Sequence, residues 1–202
     1  MKHSLQSEGF GVRLRPVRME DAGFIVWLRN LDHARGRVGD SAPDVGSQEK
    51  WLAKYFERTD DYYFIIETCG GIAVGTYGLW DFRDQSAESG RWIIRQDVPA
   101  AVPSAILGLD LAFGTLGVKV IRVKTVSTNL PVLSLNRKFG MKETHVEHDS
   151  QVIGGKSVDQ IHFILEPEAW AKARERLVPL ARLAEKQVAD WEKAEAKKQG
   201  RE

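Results

Sequence analysis

Apolar and polar positions alternate over residues 11–17, where Val12, Leu14 and Val17 sit among arginines. This spacing predicts a first strand, with Pro16 marking an edge or a strand end. Glu20 and Asp21 then open a helix whose apolar positions are Phe24, Ile25, Trp27, Leu28 and Leu31. Residues 32–46 are rich in Gly, Asp, Pro and Arg and predict a loop. Ser47, with Lys50 behind it, is the expected cap of a second helix that buries Trp51, Leu52, Tyr55 and Phe56. After Asp61 the period changes to that of strands, over 62–67, 72–81 and 87–95, with Gly70-Gly71 as the first turn. Helical spacing returns over 103–117 through Ile106, Leu109, Leu111, Ala112, Phe113 and Leu116. A last hairpin is expected over 141–150 and 157–165 around Gly154-Gly155, and from Pro167 onward the composition predicts a long exposed helix that Pro179 would interrupt or kink.

Residues 119–141, KVIRVKTVSTNLPVLSLNRKFGM, carry the most specific pattern. A β-rich run ends at Ser127, Thr128 and Asn129, whose side chains can accept hydrogen bonds at a helix start. Pro131 fits the first turn, Val132, Leu133, Leu135 and Phe139 recur at helical spacing, and Gly140 suits a left-handed stop. This segment resembles the closing segment of the GNAT superfamily of N-acetyltransferases, written N-x-x-[AS]-x-x-[LF]-Y-x-K-x-G-F. Asn129, Leu135, Lys138 and Gly140 match it, and Met141 takes the last position. Val132 replaces a small residue, and Asn136 replaces the tyrosine. Upstream, Leu14-Arg15-Pro16, Asp21, Trp27-Leu28-Arg29-Asn30 and the 48–51 segment resemble the branch of ribosomal-protein alanine and nucleotide-amino-sugar N-acetyltransferases. The resemblance covers about residues 11–165. It implies an α/β (α+β) fold with a mixed, mostly antiparallel sheet flanked by helices, a domain over 1–166, and a C-terminal helical extension over 167–202.

Composition narrows the partners. Lys plus Arg number 29 against 28 Asp plus Glu, so bulk charge gives no pull toward nucleic acid or an anionic membrane. Any anion site must be local. Cys69 is the only cysteine, which excludes an internal disulfide, and it reads as a small strand-end residue. No segment reaches the roughly 20 apolar residues of a membrane span, and the N-terminus has no apolar signal run. A cytoplasmic protein is expected. The apolar side of the tail, Trp170, Ala173, Leu177, Leu180, Ala184 and Trp191, suits packing on the domain or on a second copy, so a homodimer is one expectation. His145 and His148 are three apart on a strand and face opposite sides, which argues against a shared metal.

The resemblance also implies the chemistry: direct transfer of an acetyl or other acyl group from acetyl-CoA, or another acyl-CoA, to a primary amine of a small molecule. It places the cofactor on a splayed strand (Ile93, Ile94), on a loop and helix start (Arg95, Gln96, Ala101, Val102, Ser104, Ala105), and on the closing segment (Asn129, Leu133, Asn136). The family's phosphate loop, [QR]-x-x-G-x-[GA], is met at Gln96 and Ala101, but Pro99 stands at the central glycine and has no N–H to donate. Glu88 is the candidate base, or else a turn glutamate paired with Arg83 or Arg91. Asn136 has no titratable proton and can only hydrogen-bond the thiol or the pantetheine arm. Trp27, Arg29, Asn30, Arg35 and Trp80 are the candidate acceptor residues, because arginine forks bind phosphate and tryptophan stacks on sugar or base. The same arginines also fit a solvated loop, and the tryptophans also fit a core. The expected acceptor is a nucleotide-linked amino sugar, with a protein N-terminus, an antibiotic amine, or a non-catalytic binding module as alternatives.

Overall fold

A computed structural model describes residues 2–35, 37 and 42–198. Eight strands, β1 (Ser7–Gly9), β2 (Val12–Pro16), β3 (Tyr62–Thr68), β4 (Ala73–Arg83), β5 (Ser86–Ile94), β6 (Val120–Val126), β7 (Lys142–Ile153) and β8 (Lys156–Leu165), form one sheet. The helices are α1 (Ala22–Arg29), α2 (Val45–Phe56), α3 (Ala101–Asp110), α4 (Leu130–Lys138) and α5 (Pro167–Lys198). The spatial order is β1-β2-β3-β4-β5-β6-β8-β7, antiparallel throughout except for the β5/β6 pair. The mixed, mostly antiparallel sheet flanked by helices is therefore present.

Period two along β3 separates two cores. Tyr63 and Ile65 join Ile25, Leu52 and Tyr55 of α1 and α2. Phe64 and Ile66 join Val12, Leu14, Tyr77 and Leu79 with Ile106 and Leu109 of α3. Buried positions of α5, among them Trp170, Ala173, Leu177, Ala181 and Val188, belong to this second core. The domain itself thus covers most of the apolar side of this 32-residue helix, but Leu180, expected on that side, is 54% exposed. The helix runs unbroken through Pro179, so the expected interruption does not occur. The Leu14-Arg15-Pro16…Asp21 pattern has a physical reason: Leu14 enters the core, and Arg15 bonds both oxygens of Asp21 at 2.8 Å.

Several local expectations change. Asp44, not Ser47, caps α2, its carboxylate accepting the Ser47 N–H at 2.7 Å. The expected loop over 32–46 lies partly outside the described residues, and its end is already helical. Asn129 makes no side-chain capping bond; only its carbonyl accepts Leu133 N–H at 3.0 Å. Strand β1 was not expected, since Ser7-Glu8-Gly9 has no apolar alternation; it forms by pairing with β2 across Phe10 and Gly11, both at positive φ. The helix expected over 103–117 begins at Ala101 and passes into a π turn, Leu111–Thr115.

Two irregularities of β5 position the site. Thr76 faces Ile93 and Gly78 faces Gly90, so Arg91 and Trp92 together oppose Tyr77 in a β-bulge. Arg91 takes φ +49°, and the Thr76 hydroxyl bonds its carbonyl at 2.6 Å. On the other edge, β5 pairs with β6 only from Ser86/Val120 to Glu88/Arg122, after which the strands part. Gly75 makes the bulge sterically allowed, because a Cβ there would lie 2.4 Å from the Ile93 carbonyl oxygen. Gly75→Ala is expected to destabilise the fold by about 1–3 kcal/mol through this overpacking. Urea denaturation checks it, and a change below ~0.5 kcal/mol would refute the close approach.

Candidate active site

The gap between β5 and β6 holds a cavity of about 260 Å³. Ser89, Gly90 and Trp92 line it from β5, Val123 to Val126 from β6, and Asn129, just before α4, with Val132 and Asn136 of α4 add to the lining. Beyond the last β5/β6 pair, these strand edges carry backbone groups with no partner from the facing strand. An extended amide chain satisfies such groups well.

Polar side chains are arranged inside it. Asn136 is 3% exposed and donates from Nδ2 to Thr125 Oγ1 at 3.1 Å. Ser89 donates to the Tyr77 hydroxyl at 2.9 Å, and burial pushes the Tyr77 phenol well above its ordinary range, so it stays protonated. Gly108 of α3 lets the Tyr77 ring lie flat on the helix, since a Cβ there would sit 2.5 Å from it. Glu88 lies within β5, opposite Trp80 and beside Arg122. It is not a turn residue paired with Arg83 or Arg91; its nearest cation is Lys124, at 3.9 Å.

A second cavity, of about 560 Å³, opens between the sheet and helices α1 and α2. Arg29, Arg58 and Arg91 line it with Trp51, Tyr63 and Trp80, and no carboxylate of the described residues is in its wall. Asp61, just behind, bonds Arg91 through both oxygens, at 2.5 and 3.1 Å, and Arg58 at 3.3 Å. The Arg91 guanidinium lies 4.4 Å from the Trp80 ring centre and 5.3 Å from that of Trp51. Burial raises the Tyr63 phenol, with Arg29, Thr76 and Arg91 opposing that rise. Trp80 and Arg91 line both cavities, so the two spaces meet at that pair.

Of the residues singled out from sequence, Glu88, Trp80, Ala105, Asn129 and Asn136 surround the first cavity, and Arg29 and Trp80 the second. The others lie elsewhere. Ile93 packs with Leu28 and Ala34, and Leu133 is buried outside the cavity wall. Ile94 gives its carbonyl to His33 at 2.9 Å. Gln96 is exposed in the turn before α3, and Ala101 and Val102 form the start of that helix. The Ser104 hydroxyl is consumed internally, accepting from Trp92 Nε1 and donating to the Ala101 carbonyl, each at 3.1 Å. Arg95 bonds both oxygens of Asp97. Trp27 is 46% exposed, Asn30 caps its own helix on the Val26 carbonyl, and Arg35 is exposed outside both cavities. Thr125, Tyr77, Ser89 and Arg58 were not assigned to a site from sequence, because nothing local marks them, and Arg91, considered as a charge for the cofactor phosphates, instead binds Asp61 between the two cavities. His145 stacks on His162 at 3.9 Å, and His148 pairs with Asp159.

The donor set and the parted strands fit the acyl and pantetheine part of an acyl-CoA. Its diphosphate end has fewer donors, since Pro99 and Pro103 lack N–H groups. No helix of the described residues is long and apolar enough to cross a membrane.

Comparison with known proteins agrees with this geometry. A solved structure described as apo FdhC, a nucleotide-linked sugar GNAT, is 28% identical, covers 89% of this chain and 98% of its own, and superposes with a TM-score of 0.71. A GCN5-related N-acetyltransferase from Brucella melitensis is 18% identical over 89% of this chain and 86% of its own, with a TM-score of 0.74. A variant of the spermidine N-acetyltransferase SpeG from Vibrio cholerae is 19% identical over 81% of this chain and 98% of its own, with a TM-score of 0.72. No curated protein matches the chain by sequence. The family described as "Acetyltransferase (GNAT) domain" matches residues 12–142, well over half of the chain. With the parted β5/β6 pair and the Asn129 to Gly140 segment in place, the chain belongs to the GNAT acetyltransferase family, whose members use acyl-CoA.

Proposed function

We propose that this acetyltransferase transfers an acyl group from acetyl-CoA to the primary amine of a nucleotide-linked amino sugar. The observation that carries the acceptor is the second cavity, where three arginines and two indoles meet the first cavity at Trp80 and Arg91. Guanidinium forks suit a diphosphate, and the indoles suit a base or sugar face. The 28% identity to a nucleotide-linked sugar GNAT supports the same reading. Polyamines and aminoglycosides carry positive charge along their length and would meet Arg58 and Arg91, which share the Asp61 carboxylate, unfavourably.

Bound acetyl-CoA supplies the thioester carbonyl. The β5/β6 edges hold its arm, and Asn129, whose side chain caps nothing, adds an amide. Glu88, partly buried in the first cavity and paired across the sheet with Trp80, takes the proton of the incoming ammonium directly or through one water. Asn136, oriented by Thr125, holds the sulfur end by hydrogen bonding and transfers no proton.

Replacement of Glu88 by Gln is expected to lower kcat/KM by about 10²–10⁴-fold while leaving coenzyme A affinity unchanged. A pH-rate profile identical to that of the wild type would remove Glu88 from the chemistry. In a thiol-release screen, nucleotide-linked amino sugars turn over and spermidine does not, and Arg58→Ala raises the sugar-nucleotide KM by about tenfold, equivalent to ~1.4 kcal/mol. Equal or better turnover of spermidine would reject the acceptor assignment.

A further inference from the structure

The segment that enters α3 is held from outside by the C-terminal helix. Within residues 95–104, the N–H groups of Val98, Ala100 and Ser104 bond to Arg95, Val98 and Ala100 carbonyls, and Pro99 and Pro103 have none. The donors left for a diphosphate therefore include those of Ala101 and Val102, in the first turn of α3. With so few, their placement matters more than in a glycine-rich loop, where several N–H groups converge.

Helix α5 holds α3 at both ends, and the contact at the entry end is the one that bears on that placement. At the far end, Trp170 Nε1 donates to Asp110 Oδ1 at 2.9 Å, and Arg174 Nε reaches both Asp110 oxygens at 2.9 Å. At the entry end, Trp191 Nε1 donates to Asp97 Oδ2 at 3.2 Å. Arg95 bonds the same carboxylate at 3.1 and 2.8 Å, lies 4.8 Å from the Trp191 ring centre and 5.6 Å from that of Trp27, and has Glu195 at 3.9 Å. Between these anchors, Leu177, Ala181, Ala184 and Val188 are buried. Glu192 also bonds the Thr68 hydroxyl at the end of β3. One helix thus contacts both the far end of α3 and the turn that leads into it.

We propose that α5 is a positioning element of the cofactor site, with Trp191 as the residue that sets the 95–102 segment for the diphosphate of acyl-CoA. The proposal rests on the acyl-CoA reading of the first cavity. Trp191 touches no reacting atom; it acts through Asp97 and Arg95.

The test compares Trp191→Ala and Trp191→Phe with Trp170→Phe in the full chain. Coenzyme A is titrated by calorimetry, acetyl-CoA kinetics are measured, and amide exchange is followed over 96–102. Trp191→Ala is expected to weaken coenzyme A by about tenfold, to raise the acetyl-CoA KM in proportion with kcat within about twofold, and to speed exchange in the segment. Trp191→Phe keeps a ring on Arg95 but loses the indole donor, and falls between. Trp170→Phe lowers the melting temperature yet retains wild-type coenzyme A affinity and segment protection. If wild type binds coenzyme A and both Trp191 variants bind it equally well with unchanged exchange, the proposal is overturned. If Trp170→Phe weakens binding as much as Trp191→Ala, α5 acts through general stability and the proposal again falls. Failure of wild type to bind millimolar coenzyme A would overturn the cofactor reading itself, a separate result.

Discussion

The arrangement depends on a hydrogen-bond ladder that stops early. Strands β5 and β6 run parallel for three residue pairs and then separate. Parallel pairing satisfies every backbone group only while the strands stay near their normal spacing, so parting leaves two facing edges of donors and acceptors. Folding tolerates this because β5 remains paired to β4 and β6 to β8 on their other sides. The open edges become the walls of a slot, and the slot is what an extended amide-bearing arm requires.

The bulge at Arg91 makes the second half of the site from the same strand. An extra residue in β5 turns the Arg91 side chain to the α1/α2 side, where Asp61 takes it by two bonds and Trp80 stacks on it. A charge this buried is tolerable because its partner carboxylate and three aromatic rings replace water. Asp61 serves both Arg91 and Arg58, so two guanidinium groups of the cavity wall share one carboxylate. The strand therefore presents Glu88, Ser89 and Trp92 to one cavity and Arg91 to both.

Local patterns that depend on near neighbours were legible in the sequence. The Asn129 to Gly140 helix with its left-handed stop and the Gly154-Gly155 hairpin both involve residues a few positions apart. What escaped depends on distant partners. Three polar residues become β1 only because β2 offers an edge. No composition rule marks Arg91 for positive φ, since the bulge it sits in is defined by the register of β5 against β4. Arg58 joins Arg91 through Asp61, thirty positions before Arg91 in the chain. The tail read as an exposed helix because its apolar stripe is thin, yet alanine and leucine suffice where a helix lies close on its neighbour.

Asn136 and Pro99 are the departures from the family pattern that bear on chemistry and cofactor binding, and the structure gives them different consequences. Asn136 is buried and oriented by Thr125, so it is a fixed hydrogen-bonding group in place of a proton donor. Loss of a general acid matters little when the leaving group is a thiolate, because a free thiol already ionises near pH 8.5 and leaves without full protonation. Pro99 is a different matter: a missing N–H cannot be compensated by ionisation. Geometry can compensate it in part, because a donor held in place loses no entropy on binding, whereas a loop of glycines must be ordered first. A proline, a buried Val98 and an indole on Asp97 are all restrictions on that turn. Fewer donors on a stiffer segment is thus a consistent solution, and it links the chain's most unusual residue to the long helix that the family domain does not include.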